Sequence, residues 1–237
     1  MMIHSVQNKL IKKIASLKQK KYRDELNLFS LEGSRLAEEA LASGWDIEIC
    51  LYCQDAPENS RVALFLEKLS LVIDPANIIE VSTEVYAKIT DTKEPQGIML
   101  VLPQRVSSLA EVFASCQDKK SKIPLLAVLD GVSDPGNAGA IIRTAAAAGC
   151  AGVILLSGSA DLFNGKTLRA AMGAIFQLPI VTEVDRKDFA ALCQTHGIKI
   201  LAAALDKDAQ VYYRQNWQNP LAIVLGNEGN GISAEIL

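Results

Sequence analysis

The sequence predicts an α/β protein built in two parts, and three observations lead there. The second half carries five mostly apolar runs of strand length with helical stretches between most of them, the pattern of a parallel sheet covered on both faces. The first half alternates short strands and helices over roughly 100 residues, enough for a compact module. Between them, "SCQDKKSKIP" (115–124) is polar and ends in proline, a breaker cluster. The expected division is 1–103, a linker at 104–123, and 124–237. With 49% hydrophobic residues, the chain can bury a sizeable core.

The elements follow in order. Val6, Leu10, Ile14 and Leu17 recur at helical spacing, so 5–23 reads as an amphipathic helix with lysines outward. "LFSLEG" (28–33) is a strand and turn. "SRLAEEALASG" (34–44) is a helix with Ser34 as N-cap and Gly44 as stop. "DIEICLYC" (46–53) is a strand, 60–70 a helix, "NIIEVS" (77–82) a strand, 83–89 a helix and "QGIMLVLP" (96–103) a buried strand. In the second half the strands are 125–130, 152–156, 178–184, 198–204 and 221–226. The helix at 138–148 has Asn137 as N-cap and Gly149 as terminator.

Charge is unevenly placed. Residues 1–23 hold seven basic side chains and no acidic one, leaving 17 basic against 27 acidic groups elsewhere, a net of −10. A basic head on an acidic body suggests a polyanionic partner, although lysines on a solvated helix face would look the same. The N-terminus interrupts its apolar residues with lysines and has no signal-peptide core. The longest apolar run, 145–156, is too short for a bilayer, which needs roughly 20 residues. No membrane association is expected. The odd cysteine count (Cys50, Cys53, Cys116, Cys150, Cys193) suggests reduced thiols in a cytoplasmic protein. Cys50 and Cys53 form C-x-x-C, but a zinc site wants a second pair or nearby histidines, and His4 and His196 are far off. No metal is expected.

Ligands of parallel sheets bind beyond the carboxyl ends of the strands. Three loops there stand out: 131–137, 203–208 and 226–233. The first opens a helix whose mouth favours anions, and Arg143 can lean back toward it to grip a phosphate. Pairing with a structural carboxylate, Asp130 or Asp134, is the competing possibility. The last, "LGNEGNGIS", sets Glu228 among Gly226, Gly229 and Gly231, whose backbone amides could face a ligand. Neither loop is a dinucleotide fingerprint or a Walker A loop.

"NAGAIIRTAAAAG" and "IVLGNEGNGIS" together resemble the first two motifs of the SpoU family of the SPOUT superfamily, RNA ribose 2′-O-methyltransferases that use S-adenosylmethionine. "KTLRAAMGAIFQLPI" (166–180) is similar to the same family. From "FSLEGSRLAEEAL" onward, the first module resembles the family's ribosomal-protein-like substrate-binding domain. The resemblance implies a trefoil-knotted SPOUT domain after this module, and a cytoplasmic homodimer acting on structured RNA, rRNA ahead of tRNA. It places Arg143, Asn137 and Glu228 at the ribose, with Arg143 helping to activate the 2′-hydroxyl; a guanidinium pKa above about 12 favours an electrostatic and positioning role over proton acceptance. Ala203, Ala204, Leu225 and Gly226 would line the cofactor pocket. Lys12, Lys13, Lys20, Lys21 and Arg23 would contact RNA.

The family's third motif, an S-L-N-type loop leading into a final helix, closes the knot and completes the pocket. The residues here stop at "ISAEIL". The expectation is a C-terminally incomplete methyltransferase domain lacking the knot segment, with weakened cofactor binding and dimerisation. Two rival readings are a non-catalytic RNA-binding protein and a small-molecule enzyme on a nucleotide-binding sheet. The absence of both phosphate-loop fingerprints speaks against the latter.

Overall fold

A computed structural model describes residues 2–56, 60–116, 124–207 and 209–237. The chain forms two compact units, Met1–Arg105 with Phe163–Arg169, and Val106–Leu162 with Ala170–Leu237.

In the first unit, α1 (Lys9–Ser16), α2 (Lys20–Leu26), β1 (Leu28–Glu32), α3 (Ser34–Ala42), β2 (Ile49–Cys53), α4 (Ser60–Leu69), β3 (Ile78–Val81), α5 (Thr83–Ile89) and β4 (Ile98–Pro103) follow in order. The sheet runs β1-β4-β2-β3, with β2 and β3 parallel and the other pairs antiparallel. The single helix expected at 5–23 is two helices, because the chain turns at Leu17–Gln19. Asn8 caps α1 by accepting from the Leu10 amide, and the buried face is Ile11, Ile14 and Leu17. Ser34 is the first helical residue rather than the cap. Gly33, at φ +107°, takes the cap position, and Gln96 Oε1 accepts from the Ser34 amide at 2.8 Å. Gly44, at φ +71°, follows α3 as expected of a terminating glycine. Phe163, assigned from sequence to the second domain, belongs to this unit, its ring 4.7 Å from that of Phe29. Cys50 is fully buried, and desolvation pushes its thiol up to about 12.

The second unit has α6 (Leu109–Ser115), β5 (Leu125–Asp130), α7 (Pro135–Ala147), β6 (Gly152–Leu156), β7 (Ile180–Val184), α9 (Arg186–His196), β8 (Lys199–Ala202) and β9 (Leu221–Gly226), while α8 (Gly165–Ala171) straddles the boundary between the units. Its sheet is parallel throughout, in the order β7-β6-β5-β9-β8. Strand order reverses between β5 and β9, so the loops after these neighbouring strands flank a topological switch point. The linker expected at 104–123 is partly helix. Ser108 and Glu111 form a reciprocal capping box on α6, and α6 buries Val112 and Phe113 in the core of this unit. Positions 117–123 of that linker lie outside the described residues. Burying Phe113 and Phe189 stabilises the unit by roughly 1.5–3 kcal/mol each. No helix among the described residues is long and apolar enough to cross a membrane.

Candidate active site

The loop after β5 is shaped by Asp134. Its carboxylate accepts from the Asn137 amide at 2.9 Å, and Pro135 at the first helical position needs no amide partner. The N-cap is therefore Asp134, not Asn137. Asn137 sits in the first turn of α7 with its side chain available, and its Nδ2 donates to Glu228 Oε1 at 2.9 Å. Glu228 also accepts from the Ser133 amide and hydroxyl, both at 3.2 Å, and from the Asp134 amide at 3.3 Å. The Asn137 hydrogen bond and the backbone amides hold its carboxyl down at about 2 although it is exposed. Glu228 thus ties the loop after β9 to the mouth of α7.

The loop after β9 is a tight hairpin organised by Asn227. Asn227 and Gly231 exchange two backbone hydrogen bonds, each 2.9 Å. Asn227 Oδ1 accepts from the Gly229 and Asn230 amides at 2.9 Å, and its Nδ2 donates to Gly131 O at 2.8 Å. The amides of Gly229 and Gly231, expected with that of Gly226 to face a ligand, are spent inside the hairpin, as is that of Asn230. Gly226 is required by close approach: a Cβ there would meet Gly231 O and Ile232 N at 2.5 Å. The turn itself falls to Gly231, at φ +71°.

Beneath the loops lies a pair that the sequence reading missed. Arg186, the first residue of α9, reaches past the end of β6 to Asp130 at the end of β5. Its Nε and Nη2 lie 2.8 and 2.7 Å from Asp130 Oδ1, and Nη2 also donates to Ser157 O at 3.1 Å. Asp130 is 2% exposed and accepts from the Ser233 amide at 2.7 Å. The available signal was opposite charge at carboxyl ends of strands in one parallel sheet, which brings "LD" and "DR" to the same edge.

Arg143, two turns into α7, is exposed and pairs with neither Asp130 nor Asp134. Its Nη1 lies 3.2 Å from Met172 Sδ. Asn137 and Glu228 are joined directly; Arg143 makes no hydrogen bond to either among the described residues. Ala203 is exposed at the end of β8 with its amide donating to Val224 O at 2.9 Å, while Ala204, Leu225 and Gly226 are half-buried. Small side chains beside a half-buried strand end fit one wall of an adenosine site. Such a site gains nothing from the hairpin amides, and a Cβ-sized space at Gly226 is already filled by the chain itself.

In the first unit, Lys12, Lys13, Lys20 and Lys21 are exposed. Arg23 is not with them. It is 3% exposed, and its Nη1 donates to Leu17 O at 2.7 Å and Lys18 O at 2.9 Å, so its charge secures the turn between α1 and α2.

Residues 124–237 match the SpoU rRNA Methylase family, and residues 8–100 match the MRM3-like substrate binding domain. The chain is 32% identical over 235 residues to the 23S rRNA (guanosine(2553)-2′-O)-methyltransferase RlmP of Bacillus subtilis, covering 99% of this chain and 86% of that protein. Crystal structures of an rRNA methyltransferase from Sinorhizobium meliloti, one of them AdoMet-bound, align at a TM-score of 0.82 and 32% identity. They cover all of this chain and 85% and 84% of theirs.

Proposed function

This chain belongs to the SpoU rRNA methylase family, and we propose that it transfers a methyl group from S-adenosylmethionine to one ribose 2′-hydroxyl in structured RNA, rRNA ahead of tRNA. The observation that carries this reading is the Asn137–Glu228 hydrogen bond at the switch point of a parallel sheet, with exposed Arg143 on the same helix. The name and the 32% identity of the Bacillus relative support the ribose and the rRNA.

When bound, S-adenosylmethionine supplies a methyl group already activated on a sulfonium. What remains for the chain is to place the nucleophile, and placement alone can lower a barrier by several kcal/mol. Glu228 and Asn137 fix the relative position of their two loops. Arg143 presents a planar fork to an RNA phosphate, orienting the adjacent ribose. Ala203, Ala204, Leu225 and Gly226 form one wall for the adenosine. Lys12, Lys13, Lys20 and Lys21 supply phosphate contacts without sequence choice.

The protein works as a homodimer in the cytoplasm. An apolar groove of about 290 Å³ between α7 and strands β5 and β9, with Ile141 and Leu225 among its lining, supports a second copy packing on this face. The deciding experiment is mass mapping of ribose methylation in rRNA and tRNA from cells with and without the gene. Loss of one 2′-O-methyl group from rRNA is expected. Unchanged maps in both RNAs, with RNA binding retained by the purified protein, would leave a non-catalytic RNA-binding protein instead.

A further inference from the structure

We infer that Met172 is a positioning residue for Arg143, a neutral thioether that holds the guanidinium in place while leaving its charge free for RNA; this rests on the reading of Arg143 given above. Three observations meet at this residue. The first is the contact itself, Arg143 Nη1 to Met172 Sδ at 3.2 Å, both residues lying in the second unit. The second is the backbone. Met172 has φ +50°, a left-handed conformation that glycine and asparagine adopt readily and a long side chain does not. Gly173 follows at φ +87°, so the chain reverses sharply between α8 and the turn at Ala174–Phe176, against which α7 packs. The third is exposure. Ala171, Ala174 and Ile175 are all 5% exposed or less, whereas the apolar residue Met172 is 43% exposed. Backbone and burial both argue against methionine here, and such local conflicts gather at functional sites.

The chemistry of the partner explains the choice. A carboxylate at this distance would hold Arg143 more firmly, but would cancel its charge and compete with a phosphate for the same donors. A hydrocarbon side chain would give no direction to the fork. A thioether sulfur is a weak, polarisable acceptor. It orients one N–H, leaves the net charge intact, and yields when a phosphate arrives.

The test uses two variants and two readouts. Met172→Leu keeps size and apolarity and removes the acceptor; Met172→Gly also suits the positive φ. Each should lower kcat for RNA methylation by about fivefold, the worth of one modest hydrogen bond. KM for S-adenosylmethionine should stay within about twofold, since the contact is with Arg143. Met172→Gly should melt no lower than the natural protein, which separates positioning from stability. In an Arg143→Lys background neither variant should cost further turnover. Natural kcat in Met172→Leu overturns the inference. The second readout needs no turnover. The chain has four methionines, so methyl-¹³C-methionine labelling gives a simple spectrum. The Met172 resonance should shift on Arg143→Lys and again on adding an RNA oligonucleotide. A resonance indifferent to Arg143→Lys overturns the contact whatever the activity. Absence of methyl transfer by the natural protein would instead overturn the preceding reading, with the resonance still deciding the contact.

Discussion

Asn137 Nδ2 and Glu228 Oε1 meet at 2.9 Å across 91 positions of sequence, and this bond makes one site of two loops. It is also the leading cause of the lowered Glu228 pKa, from an ordinary 4.5 to about 2. The sign follows directly. The folded loops favour the charged carboxylate, so their mutual hold is complete above the unfolded value and fades as pH falls through 4.5 toward 2. Carboxyl-resolved NMR titration should place Glu228 near 2 in the natural protein. In Asn137→Ala the midpoint should rise toward the ordinary carboxylate range; an unmoved midpoint would show that the Ser133 and Asp134 amides suffice.

Arg143→Lys keeps a positive charge but loses the planar fork. Turnover on RNA should fall by at least about tenfold, equivalent to roughly 1.4 kcal/mol of barrier, with thermal stability unchanged because the side chain is exposed. Steady-state kinetics on matched preparations decide it, and natural turnover sinks the assignment.

Removing Arg186 strands Asp130 as a buried, uncompensated charge. Arg186→Met should destabilise the protein by about 3 kcal/mol, whereas Arg186→Met combined with Asp130→Leu should recover part of that loss. Urea unfolding with a constant slope measures both.

Gly226→Ala sets a methyl group against the backbone of Gly231 and Ile232, where neither neighbour can yield as a flexible side chain would. The expected cost is about 1–3 kcal/mol, with the hairpin displaced. S-adenosylmethionine affinity by calorimetry should drop with it; unaltered affinity would separate the crossing from the cofactor wall.

Lysines and arginine in the basic head part company. Replacing Lys12, Lys13, Lys20 and Lys21 together by glutamine should flatten the salt dependence of RNA binding, by up to about 0.7–0.9 in the log–log slope per lost phosphate contact. Arg23→Gln should lower stability and leave that slope alone, since its guanidinium is turned inward. Filter binding across a salt series distinguishes the two outcomes.

The parallel sheet was legible because apolar runs of strand length need two covered faces, and the positions of Asn137, Arg143 and Glu228 at its informative edge followed from strand direction. The resemblance of two motifs then supplied their roles. What escaped was long-range polar pairing. Nothing local marks Asn227 as a donor to the Gly131 carbonyl, or Arg186 as the partner of Asp130 two strands away. The break between α1 and α2 escaped for a similar reason. Hydrophobic spacing continues through Leu17, while the turn is fixed by Arg23 donating to the carbonyls of Leu17 and Lys18.

Methylating a hydroxyl liberates a proton, and the four donors around Glu228 decide where that proton does not go. General base catalysis wants an acceptor matched to the working pH. Glu228, held at about 2, is mismatched by far, and arginine keeps its proton in proteins. Glu228 is therefore a poor proton acceptor at neutral pH, and the pH–rate profile should bear no inflection from it in that range. The acidity that makes Glu228 a firm clasp disqualifies it as a base.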